Sequence, residues 1–74
     1  LWKVLIQEID LATANIIKSL LEENGIEVLI KPGIFDPVIF GQGGLVQILV
    51  LQDDLQKAQE IVKEALEGEE NSSV

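Results

Sequence analysis

Leu45-Val46-Gln47-Ile48-Leu49-Val50-Leu51, followed without a break by Gln52-Asp53-Asp54-Leu55, is the stretch on which the fold turns. Seven residues with one polar side chain, rich in branched aliphatics, read as a strand near the middle of a sheet. Asp53 and Asp54 then place two carboxylates at a helix start, where the dipole favours negative charge. Leu55, Ala58, Ile61, Val62, Ala65 and Leu66 follow at helical spacing and form one apolar stripe. Gly68 reads as the end of that helix. Residues 68–74 read as a flexible, acidic and polar tail on a single domain spanning 1–67.

The chain before this strand completes the pattern. Trp2 to Ile6 reads as a first strand, and Asp10 as the N-cap of a helix that begins at Leu11. That helix carries Ala12, Ile16, Ile17, Leu20 and Leu21 on one broad stripe, and Asn24-Gly25 stops it. Ile26 to Lys31 reads as a second strand. An irregular connection runs from Pro32-Gly33 to Gly44. The order β-α-β-β-α predicts an α+β fold of the ferredoxin-like, split β-α-β kind. Two helices lie on one face of an antiparallel sheet, and the third strand sits between the first two. The full version of that fold has a fourth strand after the second helix, and no such strand is legible here. A three-stranded sheet in the order 1-3-2 leaves the first strand on an open edge.

Alternation assigns the two faces of the sheet. Val4, Ile6, Val28, Ile30, Val46, Ile48 and Val50 are expected under the helices. Leu5, Leu29, Leu45, Leu49 and Leu51 are expected on the other face, which two helices cannot cover. A leucine-rich open face points to self-association. Trp2 reads as core or edge packing.

Composition removes much chemistry. Among 74 residues there is no cysteine, no histidine and no arginine, and 13 acidic residues against five lysines give a net charge of −8. No thiolate or imidazole is present to bind a metal or activate a serine. The acidic surface opposes nucleic acid and anionic membranes. No apolar run reaches the ~18 residues of a membrane span. The start of the sequence has no basic, signal-like region, so a cytoplasmic setting is the expectation. Asp53-Asp54, Glu22-Glu23 and Glu64 with Glu67 read as a helix start and solvated helix faces. The chain is expected not to be an enzyme and to need no cofactor or metal.

The connection from 32 to 44 is the most informative segment. Ile34, Phe35, Asp36, Val38, Ile39 and Phe40 are strongly apolar for a loop. They either fold back over the sheet or dock into a partner. Gly41-Gln42-Gly43-Gly44 lacks the lysine and the hydroxyl of a phosphate loop and leads into a strand, so it reads as a hairpin arm.

Two runs carry a resemblance: Ala14-Asn15-Ile16-Ile17-Lys18-Ser19-Leu20-Leu21-Glu22 with Asn24-Gly25-Ile26, and Asp54-Leu55-Gln56-Lys57-Ala58-Gln59-Glu60-Ile61. Over roughly Trp2 to Leu66 the chain resembles a small bacterial family named for signal transduction, with a fold like the GlnB (PII) regulators. The resemblance implies a regulatory protein, a functional loop between strands two and three, and open sheet faces buried in an oligomer. In PII proteins nucleotide binds near the base of that loop. Here the loop has no arginine, tyrosine or lysine after Pro32 to hold phosphates. The expected function is thus a regulatory interaction module, a dimer or trimer that also binds a protein partner through 32–44. The alternative is a sensor with a small molecule near the base of that loop.

Overall fold

The computed structural model describes residues 1–33 and 45–72, with side chains as far as Glu67. The elements are β1 (Trp2–Ile9), α1 (Leu11–Glu23), β2 (Val28–Pro32), β3 (Val46–Leu51), a 3-10 turn (Gln52–Asp54) and α2 (Leu55–Ser72). The three strands form one sheet in the order β1-β3-β2, and β3 is antiparallel to both neighbours. β1 and β2 are therefore parallel, with α1 as their crossover. This is the ferredoxin-like split β-α-β arrangement. Both helices pack on one face: α1 lies over β2 and β3, and α2 over β1 and β3.

Local chemistry fixes both ends of α1. The Asp10 carboxylate accepts from the Thr13 backbone N–H at 2.9 Å and from the Thr13 hydroxyl at 2.7 Å, which satisfies an otherwise orphaned helix donor. At the other end Ile26 N–H donates to the Leu21 carbonyl and Gly25 N–H to the Glu22 carbonyl, both at 3.0 Å. This is a Schellman cap, and it turns on Gly25, whose φ of 80° favours a residue without Cβ. The cap's usual apolar contact is present: Leu21 and Ile26 belong to one buried cluster with Ala14, Val28, Ile48, Val50 and Ala58.

The Asp10 cap has a pH signature. Its bonds to the Thr13 side chain and backbone lower the carboxyl pKa below the ordinary 3.8, since they favour the charged form. The cap's stabilisation is complete above the unfolded aspartate pKa and is lost as pH falls through the lower folded value. Denaturant titrations between pH 6 and 2.5 should show this loss. Asp10→Asn, which keeps an acceptor but cannot titrate, should flatten that part of the profile. An unchanged profile would remove Asp10 from the acid sensitivity.

Three local expectations are corrected. On α1 the core stripe is Ala14, Ile17 and Leu21, whereas Ala12 is exposed and Ile16 is 70% exposed. The helix is rotated so that small Ala14 meets the sheet, and Ile16 stands on the outer side. The helix of α2 runs through Gly68 as far as Ser72, because a single glycine costs only ~1 kcal/mol in a helix and Glu-rich sequence around it favours helix. β1 is longer than Trp2–Ile6 and is interrupted by two register shifts, between Val4 and Ile6 and between Ile6 and Ile9. Glu8, in the second, has φ 57°. The first of these irregularities changes the assignment of faces, as described next.

Candidate functional site: the uncovered sheet face

Residues directly opposite each other on neighbouring strands share a face. Lys3, Val50 and Val28 form one such row, and Ile6, Ile48 and Ile30 the next. Val50 and Ile48 are fully buried, so these rows lie beneath the helices. Val4, Leu49 and Leu29 form a row on the opposite face, and Trp2 pairs with Leu51 beside it. Leu29, Leu49 and Leu51 therefore stand on the open face as expected, and exposed Leu45 precedes them at the same alternation.

Leu5 departs from the expectation. The bulge at Leu5 inserts one residue between Val4 and Ile6, so both Leu5 and Ile6 pack against the core cluster. Trp2 and Val4, before the bulge, consequently belong to the open face and not to the core. Simple alternation cannot reveal this, because one extra residue inverts every side chain on one side of it. The six predicted residues of the loop, Ile34, Phe35, Asp36, Val38, Ile39 and Phe40, lie outside the described residues.

The face has a distinct chemistry. Its paired members are Trp2, Val4, Leu29, Leu49 and Leu51, with Lys31 opposite Gln47 towards one end. None of these is acidic, although the chain carries −8 overall, and the one carboxylate at the margin is exposed Glu27, which alternates with buried Ile26 and Val28. Trp2 and Val4 are 38% and 40% exposed. Leu49 differs: it is 8% exposed, because its neighbours on both sides cover it within the sheet. At the Lys31–Gln47 end the hairpin closes, where Gly33 N–H donates to the Leu45 carbonyl at 3.0 Å. A Cβ on Gly33 would come within 2.8 Å of that carbonyl oxygen, so the close approach requires glycine.

The helix face carries a second apolar feature. Between α1 and α2 runs a groove of about 460 Å³, floored by Ile6, Ile9 and Ile17. Ile16 and Leu20 wall it on one side, and Val62 and Leu66 on the other. Thr13 supplies its polar side chain, and that hydroxyl is engaged with Asp10. Ile9 pairs with Val46, so this groove opens near the base of the β2–β3 connection. Among the described residues no three carboxylates converge as a metal site would require, and no helix is long and apolar enough to cross a membrane.

No curated protein and no solved structure matches the chain. A family model matches residues 2–66, from the first strand to the last apolar turn of α2, and thus includes every described residue of the open face. The chain belongs to that family, DUF2007, whose description reads "Putative prokaryotic signal transducing protein".

Proposed function

We propose that this chain is a non-catalytic regulatory module in signal transduction that works by self-association through its open sheet face. The observation that carries the reading is an apolar face, with Glu27 as an acid at its margin, on a protein of net charge −8. Like charge keeps two copies of such a protein apart nearly everywhere else on their surfaces. Here Val4, Leu29 and Trp2 can approach their counterparts while Glu27, at the margin beside Leu29, keeps its carboxylate in water. The connection at 32–44 is assigned to a protein partner on its apolar sequence. The absence of histidine, cysteine and arginine supports a binding role over catalysis.

A second reading, a small-molecule sensor, is favoured by the groove near the loop base. Its lining suits an apolar ligand and not a nucleotide, since no converging polar groups accompany Thr13.

The test is the mass in solution by light scattering over a concentration series, for the native chain and for Leu29→Glu. Leu29 is 36% exposed, so a glutamate there reaches water in the monomer and is desolvated when the face is covered. The native chain should form a discrete oligomer, and Leu29→Glu should shift assembly to at least tenfold higher concentration (roughly 1.4 kcal/mol). Identical masses for the two proteins at every concentration would refute the face as an interface.

A further inference from the structure

The split β-α-β fold leaves a second incomplete seat. The α2 helix lies over β1, which among the described residues is one of the two edges of the sheet, β2 being the other. Val62 and Leu66 rest above Ile6, and on the side away from α1 they overhang a groove of about 300 Å³ beside Leu5. In the four-stranded form of this fold another strand would lie under that side of the helix. Leu66 is 58% exposed here, which leaves much of its side chain without a neighbour.

We propose that this flank, the edge of β1 with the overhanging side of α2, is a two-fold interface with a second copy of the chain. The proposal rests on the self-association argued above and assigns it a second, separate surface. Three observations select another copy as the occupant. First, Gln59, Lys63 and Glu67 follow one another at intervals of four along the rim, so they share one line of the helix. A two-fold axis passing through the rim midway between Lys63 and Glu67 sets two α2 helices antiparallel and brings each Lys63 opposite Glu67 of the other copy. The rim is thereby complementary to itself, as an isologous contact requires. Second, the groove's lining is charge-balanced, with Lys63 and Glu67 as its only charged residues, on a chain that is otherwise strongly acidic. Third, Trp2 and Val4 are exposed on the underside of the same strand, so the contact continues round the edge.

A foreign strand added to the ladder fits less well. Register shifts at Leu5 and before Ile9, with Glu8 at positive φ, break the edge after three regular residues. Helix against helix above abutting edges does not need an unbroken ladder. The axis also keeps both open faces on the same side, so the dimer presents a six-stranded apolar surface in place of two small ones.

Charge exchange tests the contact. Lys63→Glu and Glu67→Lys each place like charges at both symmetric contacts, and each should weaken edge dimerisation at least tenfold. Mixed in equal amounts, the two variants should pair with each other, because both contacts are then again opposite in sign. Native mass spectrometry separates the mixed dimer from the two homodimers. Both positions are exposed, so circular dichroism should show folded proteins. A mixture that assembles no better than either variant alone overturns the proposal. Leu29→Glu distinguishes this surface from the face: it should leave the edge dimer in place. If Leu29→Glu gives monomers while Lys63→Glu assembles like the native chain, the face reading stands and the edge proposal falls. If Leu29→Glu has no effect while Lys63→Glu gives monomers, the edge stands and the face reading falls.

Discussion

Leu21→Ala is expected to destabilise the domain by about 2–5 kcal/mol, the range for removing a fully buried leucine from a core that relaxes only partly. A domain of 74 residues has in total about 4–11 kcal/mol. The substitution therefore removes a large share, and the variant should be partly unfolded at 37 °C. Leu21 is completely buried and sits where two requirements meet. Its side chain belongs to the helix–sheet core, and its carbonyl closes α1 by accepting from Asn24 and Ile26. Alanine keeps those backbone bonds but removes the apolar contact with Ile26 that accompanies the cap. Urea denaturation should show a lower midpoint with a similar slope. A change below about 0.5 kcal/mol would mean that Leu21 is not packed as described.

Capping chemistry was the most legible part of the sequence. Asp10 and Asn24-Gly25 each act within a few residues, so the boundaries they set do not depend on tertiary context, whereas Asp53 and Asp54 lie in a 3-10 turn before α2 that has no side-chain cap bond. The strand order followed from them, since a helical crossover between the first two strands leaves the third to pair between them. The open face was legible only on β2 and β3, whose register is unbroken. On β1 the bulge at Leu5 exchanged the roles of Leu5 and Val4, and no residue type there signals a bulge as glycine would. Helix α1 shows a related limit: Leu and Ile at positions 11, 16, 17, 20 and 21 cover more than half the circumference. Hydrophobicity alone therefore cannot choose Ala14 over Ile16 for the sheet-facing line. The sheet chooses, because two layers approach closely only where a small side chain lies between them. The groove at the edge of β1 was out of reach for another reason: it depends on how far α2 overhangs the strand.

Leu49→Glu should produce two losses that separate by their dependence on protein concentration. Leu49 lies on the open face, yet Val4 and Leu29 cover it within a single copy. A glutamate at this position gives up those cross-strand contacts but can extend its carboxylate into water, so the monomer loses roughly 1–3 kcal/mol. That loss is independent of concentration. In an assembled protein the same carboxylate would be sealed between two apolar surfaces, which is far more costly. Association stabilises the folded state by mass action, so Tm of the native chain should rise with concentration. For Leu49→Glu, Tm should be lower and its dependence on concentration much weaker, with only the edge of β1 left to associate. Leu29→Glu should lose the same part of the dependence with a smaller drop in Tm at low concentration, because Leu29 contributes less to the monomer. A Tm for the native chain that stays constant over a hundredfold range of concentration would overturn both interfaces together. Parallel, shifted curves for native and Leu49→Glu would confine the effect of this residue to the monomer and remove it from any contact between copies.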